Sequence, residues 1–279
     1  MANSAYGSGL NLDAMVVPVQ AATVFAAQEN SLYLPGILVP SVTVPAGSAS
    51  AQVAVMGSVS ATAISTEGTG AVPQDFDTVL PSDTKKTIAL ELIAARTVLR
   101  DLGGIDTADM GRIMGNAIAA KVDTLVSVQL GSLTAQESLG VNLLDELYKA
   151  IGAVRAAGET GPLNCVVSAA AYQGFMSVIG SSAFAGGDTQ NAAMRSGFIG
   201  MIAGTPCYVS AYLNDTNTGL TNTKFAVFSG DALRMAMQGG VNVEVERRAA
   251  AVGNDIVASA AFGVDVIDAT RGIIVQDAV

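Results

Sequence analysis

The sequence predicts an α+β fold with irregular connections, on three observations. Six of the eight prolines lie before residue 82. Proline lacks a backbone donor and clashes with a helix interior, so the first third is expected to be extended and the middle to carry the helices. Period-two apolar residues bracket a long polar segment between residues 41 and 92, and apolar residues at helical spacing recur from Met110 to Leu130 and from Leu143 to Val154.

The elements follow in order. Val42, Val44 and Gln52-Val53-Ala54-Val55 give a β-like run from Ser41 to Gly57, and Lys85–Leu92 gives a second. Between them, Ala61–Thr84 is rich in Gly, Thr, Ser, Pro and Asp and predicts a long hairpin with a mobile tip. That tip carries Glu67, Asp75, Asp77 and Asp83, with no basic residue before Lys85. A two-stranded hairpin is marginal alone in water, so it rests on its own domain or on a neighbouring molecule; the sequence favours neither.

Asp106 or Thr107 can cap the best helix, with Asp109 in its first turn. Met110, Ile113, Met114, Ala117, Ile118, Val122, Leu125 and Val126 form its apolar stripe, and it stops at Gly131. Twenty-four residues make a rod of about 36 Å. A second helix is expected from Asn142 to Ala157, closed by Gly158 and Pro162. A strand at Asn164–Val167 precedes a short helix capped by Ser168, and Gly180–Gly200 reads as a flexible loop. Further strands are expected near Cys207–Ala211, Lys224–Ser229, Val241–Glu246, Asp255–Val266 and Gly272–Gln276.

Composition excludes much chemistry. The chain has 279 residues, 50% of them hydrophobic, only 14% charged, and a net charge of −10. Ordinary chains carry about 25% charged residues. Disorder needs the reverse balance, and a basic nucleic-acid surface needs more than 14 scattered Lys and Arg against 24 acids. Such sparse charge implies large neutral surfaces that meet protein partners. Histidine is absent, which removes Ser-His-Asp and Cys-His machinery and His-containing metal sites. Cys165 and Cys207 are too few and too far apart in sequence for a zinc cluster or a disulfide framework, and read as buried thiols. No apolar run is long enough to span a bilayer, and Met1–Asp13 has no basic n-region.

The remaining motifs read as structure. Gly7-Ser8-Gly9 and Gly68-Thr69-Gly70 lack the strand-then-helix setting of a phosphate loop. Gln136–Gly140 resembles half a nucleophile elbow without its first glycine or a histidine, and reads as the approach to a helix. Asp145 and Glu146 diverge on their helix and read as a solvated face. Arg247-Arg248, after the alternating Val241, Val243 and Val245, should point to opposite strand faces. They are either solvated or locally paired, or partners for another subunit. No catalytic, cofactor or metal residue is assigned.

The succession of segments resembles the major capsid proteins of tailed bacteriophages, of the Hong Kong 97-type fold, with the flavour of short-tailed phages. Val55-Met56-Gly57-Ser58-Val59 with Glu67-Gly68 is similar to the rising strand and tip of the family's extended loop. Ala119-Ala120-Lys121-Val122-Asp123 resembles the spine-helix pattern. Val166–Tyr172 resembles the strand-to-helix step of the axial domain, and Gly200–Ser210 resembles its Gly-x-Ile-x-Gly segment. Phe225–Phe228, Asp265-Val266 and Gly272–Val275 resemble the returning strands.

The resemblance implies an N-terminal arm at 1–40, an extended loop (β-hairpin) at 41–97, a peripheral domain with the spine helix at 98–139, an axial domain at 140–240, and a return to the peripheral domain at 241–279. It implies hexamers and pentamers that build an icosahedral virion shell around double-stranded DNA, without catalysis, cofactor or membrane. It also implies assembly in the host bacterial cytoplasm with a portal, a cement or decoration protein, and a scaffolding protein. The arm is too short to hold a cleaved scaffolding segment, so the scaffold should be a separate chain. The loop tip lacks the lysine through which some relatives cross-link. Glu67, Asp75, Asp77 and Asp83 are candidate intersubunit contacts, with Arg247 and Arg248 of a neighbour as their cations. Alternatives are an encapsulin-like nanocompartment shell, a secreted surface-layer or adhesin protein, and a Ser/Lys hydrolase.

Overall fold

The structure is a computed structural model and describes residues 12–54, 85–100, 107–138, 142–179, 198–214, 220, 222–248 and 252–277. The acidic hairpin tip, the capping residue Asp106, residues 180–197 and both short glycine motifs lie outside the described residues.

The first element corrects an expectation. Residues 12–30 are a helix, α1 (Leu12–Asn30), with Pro18 inside it. Helix propensity is a weak prior that tertiary packing overrides, and here α1 lies along the longest helix among the described residues. That helix, α2 (Thr107–Leu130), has the expected span. Thr107 is already helical and so is not its cap.

Two glycines explain the α1–α2 contact. A Cβ on Gly111 would sit 2.7 Å from both the Val19 carbonyl oxygen and Ala22 Cβ, and one on Gly115 would strike the Thr23 carbonyl oxygen and meet Ala26 Cβ at 2.8 Å. Gly111 and Gly115 lie one turn apart, as do Ala22 and Ala26, so small residues on both helices let the backbones touch.

Strands β1 (Ser41–Val44), β2 (Ser50–Ala54), β3 (Lys85–Ala89) and β4 (Glu91–Arg100) follow α1. β2 and β3 pair antiparallel, from Ser50↔Ala89 to Ala54↔Lys85, which gives the two limbs of the expected hairpin. After α2 come β5 (Thr134–Ser138), α3 (Leu143–Ala156), β6 (Leu163–Ser168), α4 (Ala169–Ile179), β7 (Phe198–Ile202), β8 (Thr205–Ser210), β9 (Thr223–Ser229), β10 (Leu233–Arg248), β11 (Gly253–Val266) and β12 (Gly272–Asp277).

Local signals hold at α3 and α4. The Asn142 side chain accepts from the Leu144 N–H, and Gly158, at φ +97°, follows the last turn of α3. Ser168 accepts from the Ala171 N–H at the start of α4. Three expectations change. Gln136–Ser138 belongs to β5, a parallel partner of β12, and is not a helix approach. β7 takes residues 198–200 from the expected loop. β10 starts eight residues before the expected strand, because it passes a bulge between Gln238 and Asn242 where the sequence reads Gly-Gly.

Two sheets organise the core. The six-stranded sheet has the order β5-β12-β9-β6-β8-β7 and the four-stranded sheet β1-β10-β11-β4. One face of the six-stranded sheet packs Cys165, Val167, Phe225 and Val275 against α3 and α4. Its other face packs Val166, Ala226, Phe228 and Ile274 with Tyr33, Leu38 and α2. Cys165 and Cys207, distant in sequence, are register partners on β6 and β8 and are buried free thiols. Burial pushes the Cys165 thiol up, as does Cys207 beside it.

Candidate functional site

The four-stranded sheet is covered along one face, and on the other only at its Ala236 and Gly263 end, where the β2–β3 hairpin packs. Ile93 and Leu99 of β4 and Ile256, Ala258 and Phe262 of β11 enter the core with α2. Strand alternation then places Leu92, Ala94, Arg96 and Val98 on the opposite face, beside Val257, Ser259 and Ala261 of β11. Leu92 is 76% exposed.

This outer face carries a charged cluster. Arg96 donates from Nε to both carboxylate oxygens of Asp255, at 2.9 and 3.0 Å, and from Nη2 to Oδ2. Hydrogen bonding to Arg96 holds the Asp255 carboxyl below the usual carboxylate range, assisted by the charges of Arg96 and Arg248. Arg248 Nη1 lies 3.9 Å from Asp255 Oδ2. The alternation also sets Arg248 on the face of Glu244 and Glu246, and Arg247 on the face of Val243 and Val245, as expected from the sequence. The structure therefore describes the arginine half of the anticipated pairing; Glu67, Asp75, Asp77 and Asp83 lie outside the described residues. Arg248 is paired locally, at long range.

The N-terminal segment is fastened by a buried acid. Asp123 of α2 accepts from Ser31 Oγ at 2.6 Å and from the Leu32 N–H at 3.1 Å, while Ser31 Oγ accepts from the Leu34 N–H at 3.0 Å. Among the described residues no cation pairs with Asp123. Burial pushes the Asp123 carboxyl up, against these hydrogen bonds. It also pushes the Tyr33 hydroxyl up, and Asp123 adds to that shift.

Two polar clusters lie elsewhere. Glu146 is 4% exposed, which corrects the expectation of a solvated face: α3 turns it inward onto Ser138. Ser138 Oγ donates to Glu146 at 2.7 Å and accepts from Lys224 Nζ at 2.7 Å, and Lys224 also pairs with Asp277 at 2.8 Å. Ser138 donates to Glu146 and accepts from Lys224, and with the Lys224–Asp277 pair this ties β5, β9, β12 and α3 together. At the base of the hairpin, Arg271 lies 3.2 Å from Asp268, 3.4 Å from Glu159 and 3.6 Å from Asp231. This network lines a hollow with Val53 and Ala54 of β2. No group of three potential metal ligands occurs among the described residues. No helix among them is long and apolar enough to cross a membrane.

Helix surfaces are also bare. Val17 and Phe25 on α1 are 68% and 67% exposed. Ile113 was expected in the buried stripe of α2 but is 63% exposed, while Met110, Met114, Ile118, Val122 and Val126 are buried. The stripe is wider than the single face that α2 can cover.

Sequence reasoning missed Arg96, Asp255, Asp123 and the Gly111/Gly115 seam as a working set. The seam had a signal, small residues four apart on both segments. Arg96 and Asp255 had none, being 159 residues apart.

No family model matches the sequence, and no curated protein is similar to it. Solved structures are similar in fold. The capsid of cyanophage P-SCSP1u matches with a TM-score of 0.65 at 17% identity, over 86% of each chain. A virus-like particle from Pyrococcus furiosus matches at 0.64 and 11% identity, over 94% of this chain and 99% of that one. The mature capsid of bacteriophage PhiM1 matches at 0.59 and 15% identity, over 88% and 87%. A helix-backed four-stranded sheet, a hairpin springing from its edge and a second, two-faced sheet thus compose the Hong Kong 97-type capsid fold in this chain.

Proposed function

We propose that this chain is the major capsid protein of a tailed bacteriophage, forming hexamers and pentamers of an icosahedral shell around double-stranded DNA. One observation carries the reading: among the described residues, a chain with the capsid fold leaves part of one sheet face around Leu92, a ten-residue strand edge and apolar patches on two helices uncovered. A shell needs such large, weakly charged, heterologous contacts. The low charge of the chain agrees. The part of the protein is structural and not catalytic, and its DNA contact is not sequence-specific. A separate scaffold, a portal and a decoration protein complete the assembly, which takes place in the bacterial cytoplasm.

Within that reading, residues 1–40 act as the arm, 41–97 as the extended loop, 98–139 and 241–279 as the peripheral domain, and 140–240 as the axial domain. The loop acids Glu67, Asp75, Asp77 and Asp83 meet Arg247 and Arg248 of a neighbour. The long, exposed Arg248–Asp255 contact is weak enough to be exchanged for such a partner.

Electron microscopy of purified protein tests the reading: rings or shells are expected, and a stable monomer at high concentration overturns it. Deleting 64–84 should leave a folded subunit that assembles poorly. A second reading is a cellular nanocompartment shell; the match over almost all of a virus-like particle protein from Pyrococcus furiosus agrees with a shell of either kind. A cargo enzyme inside purified shells selects it, and packaged DNA excludes it.

A further inference from the structure

We propose that Cys165 and Cys207 together form a buried site for one soft, thiol-seeking cation that takes two ligands in line, of the mercury(II) class. The site lies in the closed six-stranded sheet and does not depend on the shell reading. Cys165 of β6 and Cys207 of β8 are register partners on neighbouring parallel strands. Both are fully buried free thiols on the sheet face that packs against α3 and α4. Opposed residues of a ladder send their side chains out on the same side, so the two sulfurs stand abreast.

Spacing separates a metal from a disulfide. Neighbouring strands lie about 4.8 Å apart, and side chains standing abreast keep about that separation. A disulfide draws its two Cβ atoms to about 3.8 Å, which these strands reach only by moving together. Two metal–thiolate bonds of about 2.3 Å in line span about 4.6 Å, which they reach as they stand. Leu147, Phe175 and Phe225, which share this core, offer no further ligand. Zinc, which takes four, is therefore poorly served, whereas a soft two-coordinate cation is satisfied by the pair. Cys207 Sγ donates to the Thr205 carbonyl oxygen at 3.6 Å, a weak bond that a metal can replace.

Charge selects the ion further. Each sulfur gives up its proton as it bonds the metal, so one Hg2+ and two thiols yield one neutral bis-thiolate and two H+. The apolar core then holds no uncompensated charge. The way in is the sheet edge. β7 is the last strand of its sheet, and its Gly200 is the register partner of Cys207, beside a register shift. Gly200 has no side chain to cover that flank of Cys207, and an edge strand opens locally before the whole fold does.

The test titrates mercury(II) chloride into the reduced full-length chain, which has two cysteines in all. Expected are one ion bound per chain, two protons released per ion, an ultraviolet thiolate-to-mercury band, unchanged circular dichroism and a raised thermal midpoint. Cys165→Ala and Cys207→Ala keep the core apolar. Each should lower the affinity at least about a hundredfold, since loss of a mere outer partner of a ligand costs about 10–100-fold. Two ions per chain, one ion shared by two chains, or a single-cysteine variant that binds as tightly as the parent overturns the proposal. So does binding that appears only as the circular dichroism signal is lost, or no binding once the β7 amides have exchanged with solvent. Alkylation of the parent after denaturation decides the matter if an alanine variant fails to fold: one equivalent of mercury should protect both thiols together, and protection of one alone overturns the proposal.

Discussion

The two larger sheets are built on different terms. The six-stranded sheet is covered on both faces, and its inner strands read as nearly continuous buried runs, as in β9 (Thr223–Ser229), where six of the seven residues are buried. The four-stranded sheet is covered along one face and, on the other, only where the β2–β3 hairpin reaches Ala236 and Gly263. A sheet with two covered faces closes its own core; an antiparallel sheet covered mainly on one face leaves the other face and its edge open to solvent or to another molecule. The acids follow the same division. Asp255 on the open face is met by arginines and its carboxyl is pushed down, whereas Asp123 in the closed interior is met by neutral donors and its carboxyl is pushed up.

The largest expected effect lies in the closed sheet. Phe225, fully buried and edge-on to Phe175 at 5.6 Å, should cost about 3–5 kcal/mol when changed to Ala, read by denaturant unfolding. Gly115→Val should cost about 1–3 kcal/mol, because the new carbon meets the α1 backbone and not a movable side chain. Gly152→Ala on α3 meets nothing and should gain up to about 1 kcal/mol, which makes it the matched control. Asp123→Ala leaves the Ser31 hydroxyl and the Leu32 N–H without their acceptor and should cost about 1–3 kcal/mol.

The acids give opposite pH slopes. Asp255 contributes stability that is fully present above about pH 5 and lost as pH falls through its depressed folded value. Asp123 does the reverse: its burial cost is absent at low pH and grows as pH rises through its raised folded value. Stability against pH should therefore flatten on the acid side in Asp255→Asn and steepen there in Asp123→Asn. A change of slope in the same direction in both variants would erase the distinction between the two sites. The smallest effect on the monomer is expected at Leu92→Ser, within about 0.5 kcal/mol, while particle yield should fall.

Particular residues mark how far the sequence could be read. The span of α2, the Asn142 and Ser168 caps, and the strands after Cys207 were legible because they depend on residues three or four apart or on strict alternation. The α1 helix was not, because Pro18 argues against it locally and only contact with Gly111 and Gly115 outweighs that. Of the candidate contacts, Arg247 and Arg248 were found as a pair, but their division between two faces acquires meaning only beside Asp255 and Val243. Glu146 looked like a solvent-facing acid, since nothing nearby in the chain announces that Ser138 and Lys224 will converge on it.

By itself, the sequence determined the secondary-structure periods, the scarcity of charge and the absence of histidine chemistry, since these are local or additive properties. The tertiary structure decided which sheet is closed and which is open, how α1 is fastened, and where Arg96 is held. Those outcomes depend on groups about 90 to 160 residues apart, which meet only once the backbone has folded.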